Sequence, residues 1–169
     1  WLPRMVGPYR IRAFAAADRP VLGVCLGAQI IAHAFGGEIY RMGKLESGFY
    51  QLDLTAEGKA DPLFRDMPPK VTTFENHYEA TRNTPGAVPL VTGGACPIQA
   101  FRIGAKTYGV QFHVEVTIDI IRDWLRVFGT DFCRDEPRLL TDLDRQFELH
   151  FPDYVSACNT LTRNWLALT

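Results

Sequence analysis

The sequence has 169 residues, 47% hydrophobic and 22% charged, with a formal net charge of -1 at pH 7, which suits one soluble, well-cored domain rather than two. No run of like charges points to nucleic acid or an anionic membrane as a partner, and no apolar stretch approaches the ~18 residues of a membrane span. Four cysteines, Cys25, Cys96, Cys133 and Cys158, lack CxxC or Cys/His spacing, which argues against a metal site or a disulfide framework and fits a reducing, cytoplasmic compartment.

In chain order, Trp1 to Asp18 carries apolar residues near a helical period despite Gly7 and Pro8, so a helix broken near Pro8 is expected there. Pro20 to Val24 reads as a strand, and Leu26 to Phe35 as an amphipathic helix stopped by Gly36 and Gly37. Period-two patterns at Glu38 to Met42 and Phe49 to Leu54 predict two strands with a turn around Gly43 to Gly48. Thr55 to Pro69 is rich in loop residues. Val71 to Phe74 is a strand that ends at the polar cluster Glu75, Asn76 and His77. Val88 to Val91, Ile98 to Ile103 and Lys106 to Phe112 are further strands, the last two joined at Gly104-Ala105. Helices follow from Thr117 to Gly129, from about Glu136 to Leu149, and from Pro152-Asp153 to Trp165. The mixture predicts an α/β domain in three layers, with a central sheet and an inserted antiparallel portion.

Two stretches carry chemistry. In PVLGVCLGAQ, Cys25 stands on a strand-to-helix turn with Gly23 and Gly27 two residues to either side, the spacing of a nucleophile elbow with cysteine in place of serine. The turn demands small flanking residues and sets the sulfur at a helix N-terminus, where the dipole favours thiolate. The plainer alternative is a small buried hydrophobe in a βα unit. In YGVQFHVEV, His113 and Glu115 end a strand. Two residues apart on an extended chain they share one side, so the carboxylate can hold the imidazole as a base for a cysteine. Taken singly they read equally as a capping histidine and an acid near a helix start. Both stretches fall at strand carboxyl ends, where open α/β sheets form their ligand crevice.

The paired strings PVLGVCLGAQ and YGVQFHVEV resemble the class I, triad-type glutamine amidotransferases, and CPIQAFR (residues 96–102) is similar to the stand-alone branch related to the glutaminase domain of GMP synthase. The resemblance spans Arg19 to Trp124 and implies a flavodoxin-like α/β/α sandwich with a mostly parallel sheet. It implies Cys25 as nucleophile, His113 as general base and acid, and Glu115 as its orienting carboxylate. Leu26 would give a backbone N–H to the oxyanion, and Gln29 would contact bound glutamine. Gly48 and Phe49 would edge the pocket with Asn76 and His77, two residues that read equally as turn residues after a strand. Val114 stands where the family has proline.

The family also carries a glycine-rich oxyanion loop on an earlier strand, upstream of the helix that opens this sequence. The sequence is therefore expected to be a single amidotransferase domain, truncated at its N-terminus, with residues 130–169 as a C-terminal helical extension. The reaction implied is hydrolysis of the glutamine side-chain amide through a γ-glutamyl thioester, without a cofactor and with ammonia passed to a separate synthetase subunit. The alternatives are a γ-glutamyl peptide or amine hydrolase using the same residues, and a binding module lacking the oxyanion loop.

Overall fold

The computed structural model describes residues 7–132 and 142–169. Helix α1 (Gly7–Ala16) leads to strand β1 (Val21–Val24), which passes through Cys25 into α2 (Leu26–Ala34). Strand β2 (Glu38–Leu54), helix α3 (Ala56–Ala60) and a 3-10 turn (Pro62–Phe64) precede β3 (Lys70–Arg82). Strands β4 (Ala87–Thr92), β5 (Ala100–Ile103) and β6 (Thr107–Val110) follow, then helices α4 (Ile118–Phe132) and α5 (Leu143–Leu168).

The six strands form one sheet in the order β1-β6-β5-β4-β2-β3. Among the described residues only the β1–β6 pair is parallel, so the sheet is mixed and mainly antiparallel, not mostly parallel as expected. The cause is short connections: β4, β5 and β6 follow one another as a meander, and Gly104 takes φ 60 in the tight β5–β6 turn.

Four predicted breaks are absent. Residues 38–54 make one strand, with a register shift between Arg41 and Glu46 in place of a turn. Met42 and Leu45 are buried, and this apolar anchorage holds the segment along the sheet instead of looping into water. β3 likewise runs through Glu75, Asn76 and His77 to Arg82, with Glu75 and His77 turned inward. Helix α4 continues past Gly129, and α5 is one helix with Pro152 inside it. A proline there removes a single backbone donor, while Phe147, Phe151 and Tyr154, on both sides of it, all pack against Phe49. The predicted starts of the first helix, at residues 1–6, and of the helix near Glu136 lie outside the described residues.

Side chains alternate across β1 with period two. Val21 joins Phe101 and Ile103 under Ala28, Ile31 and Ala32 of α2. Leu22 and Val24 join Tyr108, Val110 and, from α5, Leu161 and Trp165. The sheet also closes on itself: an isolated bridge links Phe74 of β3 to His113, three residues past the end of β6, with the His113 N–H donating to the Phe74 carbonyl at 2.9 Å. That bridge carries the β2–β3 ribbon to the end of β6. Among the described residues no helix is long and apolar enough to cross a membrane.

Candidate active site

Cys25 is built into place from three directions. Its N–H donates to Val110 at 2.8 Å, which extends the β1–β6 ladder by one rung, and its carbonyl accepts from the Gln29 N–H at 3.2 Å, which starts α2. Between these bonds the residue holds φ 48 and ψ -104, a conformation that costs on the order of 1–3 kcal/mol for a residue with a Cβ. The two flanking glycines differ. A methyl group on Gly23 would lie 2.6 Å from Ile31 Cδ1 and collide with the Gly27 backbone, whereas one on Gly27 would meet open space. Steric need therefore explains Gly23 alone, not both glycines as the spacing suggested.

His113 and Glu115 meet at the end of the strand-bearing stretch. His113 Nδ1 lies 2.6 Å from Glu115 Oε1, and Glu115 Oε2 accepts from the Val114 N–H at 2.8 Å. His113 is nearly buried, while the Glu115 side chain is 53% exposed. Burial works against a charged ring, but hydrogen bonds and charge from Cys25 and Glu115 outweigh it and raise the His113 pKa to about 9. For Glu115, burial pushes upward, and the bond and charge of His113 with the Val114 N–H hold the carboxyl below its usual range. The ring also takes an edge contact from Trp124, with centroids 5.1 Å apart at 71°.

The remaining expected residues are distributed unevenly. Leu26 opens α2 next to Cys25 with its side chain exposed. Gln29 is buried, and its Nε2 donates to the Glu79 carbonyl at 3.2 Å. Gly48, at φ 114, pairs with Glu75, and Phe49 pairs with Phe74. Phe49 is the hub of an aromatic cluster with Phe74, Phe147, His150, Phe151 and Tyr154. Asn76 lies in β3, its Oδ1 3.4 Å from Ser47 Oγ. His77 is buried, with both ring nitrogens engaged: Nδ1 at the Glu79 carbonyl, Nε2 at Glu75 and Glu46. Both are strand residues, not turn residues.

One residue escaped the sequence reading. Gln111 is buried, and its Nε2 points to Cys25 Sγ at 3.7 Å. Its place two residues before His113 was the available signal, since alternate residues of an extended segment share a side.

The family described as glutamine amidotransferase class-I matches residues 7–125. A glutamine-hydrolyzing GMP synthase subunit from Pyrococcus furiosus is 34% identical over 117 residues, covering 65% of this chain and 61% of the relative. The corresponding GMP synthase subunit from Methanocaldococcus jannaschii is 33% identical over 123 residues, covering 69% of this chain and 64% of the relative. The chain thus matches about three-fifths of the length of these relatives. Among solved structures, a glutamine amidotransferase from Thermotoga maritima shares 25% identity with a TM-score of 0.73, covering 94% of this chain and 66% of that one. A glutamine amidotransferase from Methylobacillus flagellatus shares the fold with a TM-score of 0.79 at 23% identity, covering 95% and 68%.

Proposed function

The chain belongs to the class-I glutamine amidotransferase family, and from that membership and the geometry of Cys25, His113 and Glu115 we propose that it hydrolyses the side-chain amide of glutamine. The observation that carries this reading is the 2.6 Å His113–Glu115 contact on the same ring that Cys25 helps to charge. With Nδ1 held by Glu115, Nε2 is the nitrogen that takes the thiol proton. The thiolate attacks the carboxamide carbon, a C–S bond forms, and the carbonyl electron pair moves onto oxygen. His113 then protonates the amide nitrogen, the C–N bond breaks, and ammonia leaves a γ-glutamyl thioester on Cys25. Water deprotonated by His113 attacks the thioester and releases glutamate and the thiol.

In this reading the Leu26 N–H, at the first turn of α2, donates to the developing oxyanion, where one such donor is worth about 10²–10³-fold in rate. Gln111 Nε2 supports the thiolate. Gly48, Phe49 and Asn76 line the glutamine side of the cleft, Gln29 orients it from α2, and His77 braces the ribbon from inside. The fold reads as one α/β/α domain with α5 packed as its C-terminal extension, a reading supported by the solved relatives. The GMP synthase relatives, themselves subunits, support a separate synthetase chain as the acceptor of ammonia.

The test is ammonia release from glutamine, together with mass spectrometry of the protein after exposure to an electrophilic glutamine analogue. Release and a single adduct on Cys25 are expected. A folded sample giving neither sinks the proposal. Faster turnover of a γ-glutamyl peptide than of glutamine would reassign the substrate class while keeping the three residues.

A further inference from the structure

Glu46, Glu75 and His77 form a second cluster, sealed inside the β2–β3 ribbon with Glu46 and Glu75 at 0% exposure and His77 at 4%. Glu46 faces His77 across the strands, and Glu75 lies two residues before it on the same side. The Nδ1–H of His77 donates to the Glu79 carbonyl at 3.0 Å, an outer hydrogen bond of the kind that fixes a metal-ligating imidazole and aims its other nitrogen inward. That other nitrogen, Nε2, lies 3.2 Å from Glu75 Oε2 and 3.3 Å from Glu46 Oε2. A bare nitrogen lone pair facing two carboxylate oxygens is repulsive, so a positive charge belongs between the three atoms. A proton is one solution. A charge-assisted N–H···O bond to one acceptor is shorter, at about 2.7–2.9 Å, whereas one N–H shared between two oxygens lies farther from each. Ligand bonds of about 2.0–2.1 Å in a tetrahedron instead set neighbouring ligand atoms about 3.3 Å apart.

A further buried group points into the same place. Gln99 is fully buried, its Nε2 donates to Glu46 Oε2 at 3.0 Å, and its Oε1 has no hydrogen-bond partner. An unpartnered buried oxygen is costly, and the amide that carries it is the one held against Glu46 Oε2. The rest of the cradle is occupied by protein: the Ala95 N–H holds Glu46 Oε1, and the Thr73 hydroxyl holds Glu75 Oε1 at 2.7 Å.

We propose that Glu46 Oε2, Glu75 Oε2 and His77 Nε2 bind one divalent cation of the zinc type, distinct from Cys25, His113 and Glu115. Two carboxylates and a neutral imidazole cancel the charge of such an ion without help from solvent. The cysteine and histidine spacing that argued against a metal says nothing of this set, because two of its three ligands are glutamates brought together by strand register.

The experiment uses the full chain carrying Cys25→Ala, which removes the thiol that would otherwise compete for zinc beside His113. The protein is stripped with chelator and titrated with Zn²⁺ against a chromophoric competitor, then with Co²⁺ followed by its visible spectrum. One equivalent is expected, with tetrahedral Co²⁺ bands and no thiolate-to-cobalt band. Glu75→Gln is expected to weaken binding about 10–100-fold, with circular dichroism confirming that the variant folds. Absence of a tight equivalent in the parent protein, a thiolate band, or binding indifferent to Glu75→Gln in a folded variant would overturn the proposal and leave a proton as the shared charge. Should Glu75→Gln not fold, Gln99→Leu, which replaces the nearby amide, is read by the same titration: loss of the Co²⁺ bands or a shift in them supports the site, and an unchanged spectrum overturns it.

Discussion

Two histidine–carboxylate pairs in this molecule are written the same way in the chain and end in opposite surroundings. His113-Val114-Glu115 and Glu75-Asn76-His77 each set the two groups two residues apart, hence on one side of an extended backbone. At the first, the pair is tight, at 2.6 Å, and its carboxylate is half in solvent. At the second, the imidazole sits 3.2 and 3.3 Å from two carboxylates, all of them sealed from water. Local sequence sets the pairing and tertiary burial sets its use. The first pair can exchange protons with solvent, whereas charge in the second has nowhere to go and holds the ribbon together.

The sharpest division between the two is expected from removing one group at each. Cys25→Ala should abolish glutamine hydrolysis, by ~10⁴-fold or more, while chemical denaturation midpoints stay close to those of the parent. His77→Ala should do the reverse. It strands two buried carboxylates and is expected to cost about 3–5 kcal/mol in urea unfolding, with loss of activity only in proportion to the fraction unfolded. A His77→Ala protein as stable as the parent would show that the cluster is not a charge anchor.

Glu115→Gln probes the open pair more gently. Loss of the carboxylate leaves Cys25 as the remaining partner of the His113 ring, and turnover should fall by roughly 10²-fold, within the range for a positioned acid–base group. The His113 pKa should drop from about 9 toward the free value of about 6.5, as followed by NMR titration of the ring. Because the folded pKa is raised, the contribution of this ring to stability is complete below about pH 6.5 and disappears as pH climbs through about 9. Glu115→Gln should therefore flatten the stability profile in that window. A pKa still near 9 in the variant would mean that Glu115 does not set the charge of the ring.

The open pair is legible in the sequence, because strand, turn and His-x-Glu are local signals that add. The closed cluster is not. Glu46 reaches His77 only through the β2–β3 register, and that register depends on a strand continuing past Gly43 and Gly48 because Met42 and Leu45 are buried. Glycines advertise a turn, whereas the burial that cancels it is a property of the folded state. The helix across Pro152 escapes for the same reason, since aromatic packing on Phe49 is invisible to a local helix-breaking rule. A mostly parallel sheet follows only if the elbow unit stands for every strand, and β1–β6 is the single parallel pair among the described residues.

The contrast between packed and open ground recurs on a smaller scale inside the elbow, at two glycines that the sequence presents as equivalents. At Gly23 any Cβ runs into the Gly27 backbone and Ile31, so Gly23→Ala must push α2 away from β1. That overpacking should cost about 1–3 kcal/mol and reduce turnover as well, since α2 carries both Leu26 and Gln29. At Gly27 the added methyl meets nothing, and the residue is the second of a helix in which alanine is favoured over glycine by about 0.5–1 kcal/mol. Gly27→Ala should therefore leave the fold as stable as before or slightly more so. Any fall in activity then has to come from the space itself: a rise in KM at constant kcat would identify the open ground over Gly27 as room for the substrate, and unchanged kinetics would leave that glycine without a steric role in the elbow.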